Sequence, residues 1–433
     1  MNERDVELQL QRLFGSAPVV AAPERLKAVI LRDRAIVAPG RAFARPRSTG
    51  RTLAALIGLA ATVVLAAGLV AIAFNRSTPS ALVSTAGSFT QTGSMSAGRW
   101  NHAAIPLSDG RVLLVGGVGD GGALASAEMY DPATGKFTAT GSMAKARAKP
   151  IATLLTDGRV LVIGGGIFGT DGSGDASADL YDPKTGKFSP TGSMGVPRED
   201  ETATRLTDGR VLVVGGDSGV EALASAELYD PATGTFSPTG SLALARALPS
   251  AVLLQNGRVL VEGGYDLPGM ADTAELYDPA TGLFGPTGST GTGRAYDTAT
   301  LLPDGRVLIA GGMGDGSGGP VPTSALLYDP ASGKFTTTGS MSYGRHDHTA
   351  TVLRDGRVLI VGGFQDDPLD SYRPVSETYD PATGRFSHAG ALAAPTANHT
   401  ATLLPDGRVL IAGGRQATAP YPLPAAEIYD PNG

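Results

Sequence analysis

Three histidines stand at one place in a repeating phrase. The phrase begins D-G-R-V-L, with Asn256 for the aspartate in one copy. Seven residues ahead of it stand His102, Pro150, Glu201, Pro249, Asp297, His348 and His399. Three imidazoles, or two with a carboxylate, form a ligand set for a divalent ion such as Zn²⁺ or Cu²⁺. His102, His348 and His399 are therefore the candidate metal ligands. The alternative is that each ring packs between neighbouring repeats. Ten residues ahead of the phrase stand Arg99, Arg147, Arg198, Arg246, Arg294 and Arg345, with Thr396 in the seventh copy. A ring of guanidinium groups would suit an anionic ligand, which makes Arg99, Arg294 and Arg345 candidate contacts. The alternative is that each arginine bonds carbonyls or carboxylates of the scaffold, as a repeated residue in a repeated fold should.

Aromatic residues form the third set. Seven of the 12 tyrosines recur in a Y-D-P triplet and read as structural. Trp100, Tyr265, Tyr296, Tyr343, Phe364, Tyr372 and Tyr421, with Phe168, fall elsewhere in the repeat. Aromatic side chains collected on one face of a rigid scaffold suit a glycan or a protein surface. Asp171, Asp175 and Asp179 have oxygens at alternating places that would suit Ca²⁺, without the closing Glu of an EF-hand. A polar turn is the alternative.

The elements that must position these residues come from the repeat. The seven phrases start at Asp109, Asp157, Asp208, Asn256, Asp304, Asp355 and Asp406, 48 or 51 residues apart. Each is answered by a Y-D-P, at Tyr130, Tyr181, Tyr229, Tyr277, Tyr328, Tyr379 and Tyr429. One unit reads as strand a (His348–Leu353), a two-residue D-G hairpin, strand b (Val358–Val361), Gly362-Gly363, strand c ending at Tyr379, and strand d with Phe386. From each Y-D-P tyrosine to the next phrase is always 27 residues. All length variation therefore falls between strands b and c. The b–c and d–a connections emerge on one face, so that is the expected binding face.

These residues resemble the kelch repeat, with its paired glycines, later tyrosine and outer-strand aromatic. Phe stands here where relatives often carry Trp. The resemblance covers Ser88 to the end and implies a seven-bladed β-propeller. It also implies a comparison with copper radical oxidases on the same scaffold. Their tyrosine–cysteine cofactor has no counterpart here, because the chain has no cysteine. No P-loop and no Ser-His-Asp ordering is legible. The seventh copy stops at Gly433 without a strand d, and the stretch 87–95 around Phe89 matches 135–143, the corresponding piece of the first copy. The ring is expected to close through that N-terminal strand.

Ahead of the ring, 52–74 is 23 residues without a charge, enough to span a bilayer as a helix. Arg41, Arg45, Arg47 and Arg51 precede it and only Arg76 lies close after it. The positive-inside rule places 1–51 in the cytoplasm and the ring outside the cell. A cleaved signal is the rival reading, with Ala71-Ile72-Ala73 as its small-x-small site, but the apolar stretch is long for one. Residues 1–51 read as a short helical arm, 75–85 as a linker and 86–433 as the propeller.

The expected protein is all-β apart from the arm and a single transmembrane helix. The part after the helix carries 25 Lys/Arg against 36 Asp/Glu, which disfavours nucleic acid. The leading expectation is a membrane-anchored, extracytoplasmic recognition module for a surface or secreted protein or a glycan, with no cofactor. The alternatives are an enzyme on a small sugar, metal-dependent through the histidines, and a purely structural display module.

Overall fold

The computed structural model describes residues 87–433 except 167–173, 267–268, 315–320, 366–373 and 417–421. The span expected over 52–74 lies outside the described residues. Among those described, no helix is long and apolar enough to cross a membrane.

Each phrase folds into a four-stranded antiparallel sheet. In the first blade, strands a and b are Ala103–Pro106 and Val112–Val115, and strands c and d are Gly122–Asp131 and Lys136–Arg147. Six further blades repeat this order, and strand a of each blade packs beside strand a of the next around the ring. The seventh blade takes its outer strand from Ser88–Gln91, which pairs with Ala426–Asp430 in the register Phe89↔Tyr429. The first blade uses the same register for Phe137↔Tyr130. The expected closure is present, and the seventh blade has four strands like the others.

Strand b explains the continuous apolar run. Its residues alternate between two seams. Val112 and Leu114 pack with Leu404, Leu410 and Ile428 of the seventh blade, whereas Leu113 and Val115 pack with Val160 and Val162 of the second. Both faces of the strand are thus covered, and all four residues are fully buried. Each Y-D-P tyrosine sits in a seam against the Phe of its own strand d, with centroids 4.8 Å apart in the first blade. In six of the seven its hydroxyl meets a threonine of the preceding blade, as in Tyr181 to Thr140 at 2.8 Å; before Tyr429 the matching place is Ala389.

One local expectation changes. The D-G turn is not a two-residue loop. Leu107 N donates to Arg111 O and Gly110 N donates to Leu107 O, which encloses a three-residue loop. Only Gly110 takes a positive φ, at 87°. The aspartate instead holds the arginine two residues on, since Asp109 Oδ1 accepts the Arg111 amide at 3.1 Å and Oδ2 the guanidinium. This is the geometry of a turn closed by a glycine bulge.

Candidate functional site

The arginine register is built into the blades and not into a ligand ring. Arg99 and Arg345 are 0% exposed and Arg294 is 2% exposed. Arg99 Nη1 donates to the carbonyls of Gly116 and Ser126, and Nη2 pairs with Glu128 at 3.0 Å. Arg345 does the same with Gly362, Val375 and Glu377, and Arg294 with Gly311 and Ser324. The partners lie in the blade that the arginine introduces. The reason is physical: a guanidinium fork satisfies the carbonyls left where the paired glycines end strand b. These three arginines are removed from the ligand contacts.

The histidines do not converge either. His102 Nε2 lies 2.9 Å from Thr400 Oγ1, His348 Nε2 3.1 Å from Thr298 Oγ1, and His399 Nε2 3.0 Å from Thr349 Oγ1. Every partner belongs to strand a of the preceding blade, so the rings turn sideways into the seams. Burial, with Arg99 and His399 nearby, pushes His102 down to about 3, and burial pushes His399 down to about 4. They are neutral spacers. Among the described residues no group of three or more His, Asp or Glu is arranged to hold a metal ion. The Ca²⁺ reading loses two ligands likewise. Asp175 accepts the Ser177 amide and Lys145, and Asp179 pairs with Arg147 at 3.0 Å; Asp171 lies outside the described residues.

The same register carries two buried carboxyls, Glu201 and Asp297, and Glu262 joins them from strand b. Glu201 is 5% exposed with neither oxygen hydrogen-bonded, and burial pushes it up to about 8. Glu262, at the end of strand b in the fourth blade, faces Asp297, which opens strand a of the fifth. Burial and the Asp297 charge raise Glu262 well above the carboxylate range, and burial raises Asp297.

What does gather is a mouth around the ring axis on the b–c and d–a face. One residue per blade takes a left-handed conformation there: Asn101, Lys149, Asp200, Leu248, Tyr296, Asp347 and Asn398, with φ between 50° and 60°. Their backbones link across seams, as Lys149 N to Asn101 O and Asn101 N to Asn398 O, both at 3.0 Å. Among the described residues the rim link is not made between Lys149 and Asp200 or between Leu248 and Tyr296. Those are the seams of Glu201 and Asp297.

On one side of the mouth an aromatic and cationic arc spans four blades. The Arg415 guanidinium lies 4.5 Å from the Trp100 ring and 4.8 Å from Phe364. His346 stands 5.3 Å from Phe364 and 6.0 Å from Tyr296. His346 Nδ1 meets Asp347 at 2.8 Å, and Arg415 Nε donates to Asn398 Oδ1 at 3.1 Å. On the other side Lys149 bonds Asp200 at 2.8 Å and reaches to 5.9 Å from the Tyr296 ring. Tyr265 stands there too, its hydroxyl pushed up to about 12 by burial and the Asp200 charge. A cavity of about 290 Å³ opens between Lys149, Asp200 and Tyr296. A larger cleft of about 680 Å³ lies on the hairpin face, but its Arg111 and Arg159 are held by Asp109 and Asp157 of their own turns.

Four sequence candidates thus belong to the mouth: Trp100, Tyr265, Tyr296 and Phe364. Tyr343 is 36% exposed in the loop leading to Arg345. Tyr372, Tyr421 and Phe168 lie outside the described residues. The mouth also holds His346, Arg415, Lys149, Asp200 and Asp347, which sequence reasoning misses. A signal existed: Asn or Asp fills four of the seven left-handed places, the residues that tolerate that conformation best.

These features define a seven-bladed propeller of the kelch type. The family model for the kelch motif matches residues 99–144 and 202–243. The fold is similar to that of a solved protein described as a novel fungal alcohol oxidase with catalytic diversity among the AA5 family, in complex with copper. That likeness has 21% identity and a TM-score of 0.66, covering 80% of this chain and 76% of that chain. At this identity it is a likeness of fold. No curated protein matches the chain in sequence.

Proposed function

We propose that this chain is a recognition module, held at the cell membrane by a helix over 52–74 with its N-terminus in the cytoplasm. Its propeller, outside the cell, binds a protein or carbohydrate ligand at the mouth of the b–c and d–a face. The observation that carries this is the arc Tyr296–His346–Phe364–Arg415–Trp100. It sets flat apolar rings and a stacked guanidinium on rigid strand ends. Such surfaces recognise sugars and protein side chains by stacking at low entropic cost. The enzyme reading loses its proposed metal centre, since the three histidines spend their Nε2 atoms on threonines of adjacent blades. The test is capture of glycans and of surface proteins by the full chain, alongside Trp100→Ala and Phe364→Ala. Loss of capture with an unchanged melting temperature supports recognition at the mouth. Capture that survives both substitutions would move the site elsewhere.

A further inference from the structure

The seventh blade keeps the acceptors of the arginine register but not the arginine. Thr396 stands in its place, and its hydroxyl donates to Gly413 O at 3.2 Å. Gly413 O matches the carbonyl that takes Nη1 in each of the other six blades, as Gly116 O does from Arg99 at 2.9 Å. The carboxylate also remains, as Glu427. In the first, third and sixth blades the matching glutamate does two tasks. One oxygen of Glu227 holds the amide of Gly195 at 2.8 Å, and the other holds Arg198 at 3.0 Å. Glu128 and Glu377 repeat the arrangement. Both oxygens of Glu427 accept the Ala393 amide, at 3.1 Å each, and no cation stands beside it among the described residues. Where the guanidinium would lie, a cavity of about 140 Å³ opens. Its lining includes Thr396, Gly413, Glu427, Leu392 and Ala425. That is the space of roughly four or five waters, at about 30 Å³ each. It is room for a planar guanidinium and the methylene next to it.

We propose that this cavity is a receptor for a guanidinium group, filled by an arginine side chain presented by a protein partner. The chain itself displays the chemistry, because five of its own blades hold a guanidinium on a strand-c carboxylate and this carbonyl, and the fifth blade holds Arg294 on the carbonyl without that carboxylate. A flat fork with several donors fits one carboxylate and a strand-end carbonyl together, and a point ammonium does not. The receptor stands on the comparison of blades. Its natural occupant rests on the recognition reading above, and places a protein ahead of a carbohydrate as partner.

The test titrates N-ethylguanidinium into the full chain by calorimetry, with ethylammonium as a control of equal charge. The expected result is one saturable site, with Kd on the order of 1 mM, for ethylguanidinium alone. Glu427→Gln weakens binding at least tenfold. Thr396→Arg abolishes it by supplying the group from within. Equal binding of the two ions would overturn the receptor, as would unchanged affinity in Glu427→Gln. A second titration uses Gly-Gly-Arg-Gly-Gly against Gly-Gly-Lys-Gly-Gly. Preference for the arginine peptide supports the side-chain occupant, and equal or absent binding rejects that occupant. Neither titration depends on Trp100 or Phe364, so failure of mouth recognition registers separately.

Discussion

The imidazole of His102 rests on Gly413 of the preceding blade. A Cβ added to that glycine would stand 2.8 Å from His102 Cε1. His348 on Gly311 and His399 on Gly362 repeat the contact, and Pro150 sits likewise on Gly116. The first glycine of each pair is therefore a seam residue, needed by the next blade. It also carries a positive φ, 67° at Gly413.

Gly413→Ala should accordingly cost more than a turn glycine does. At Gly158, φ is 85° and a Cβ would meet nothing within 4 Å, so Gly158→Ala carries backbone strain alone, about 1–2 kcal/mol. Gly413→Ala adds a clash with His102 and with the Arg99 carbonyl, and should exceed that by a further 1–3 kcal/mol or so. Thermal or denaturant melts of the two variants give the comparison. Equal losses would mean that the seam relaxes freely.

The seams make stability fall on both sides of weakly acid pH. The histidines titrate lower in the folded chain than their ordinary 6.5, so the unfolded chain takes up protons first. Their contribution is present above pH 6.5 and is lost as pH falls toward 3. Glu201 titrates higher than its ordinary 4.5, so its contribution is present below that value and lost as pH rises to about 8. Each group acts with a slope of about 1.4 kcal/mol per pH unit inside its window. Melting temperature against pH should lose part of its alkaline limb in Glu201→Gln and part of its acid limb in His399→Gln. An unchanged profile in either variant would show that the group is not held neutral.

Arg294 lacks the strand-c carboxylate of the other blades. Leu326 occupies the strand-c place where the other blades carry an acid, such as Glu377. The compensating charge comes from Asp297 and, across the seam, Glu262, a pair whose four oxygens have no hydrogen-bond donor. Arg246 nearby is held by Gly263, Thr273 and Glu275. One proton shared between the two carboxyls leaves one negative charge opposite Arg294. Glu262→Gln or Asp297→Asn should therefore be tolerated and should remove one protonated-carboxyl band from the infrared spectrum at neutral pH. The double variant leaves a buried cation alone and should lose about 3–5 kcal/mol. Adding Leu326→Glu to it should restore stability. A single variant that keeps the band would exclude the shared proton.

Closure by the N-terminal strand makes the ring sensitive at that end. A chain beginning at Asn101 loses Ser88–Gln91 and with it Phe89, which packs 4.9 Å from Tyr429. It should melt well below the full chain. Equal melting would mean that the seventh blade is stable with three strands.

Much of this was written in the sequence. The D-G-R-V-L phrase, the paired glycines and the Y-D-P fix a blade because each marks a local backbone need or a two-faced strand. The constant 27-residue spacing and the fragment around Phe89 fix the blade count and its closure. The face of the mouth was legible from the variable loops. What the sequence left open was direction. His102 and Arg99 are three residues apart, and nothing local says that one turns into the preceding seam and the other into its own blade. That choice belongs to tertiary packing: the preceding blade supplies Thr400 and Gly413 for the ring, and strands b and c of the arginine's own blade supply Gly116 and Glu128 for the guanidinium. The arc from Trp100 to Tyr296 has the same origin. Its residues are distant in the chain, and only closing seven sheets around one axis brings them within 4.5–6.0 Å of each other.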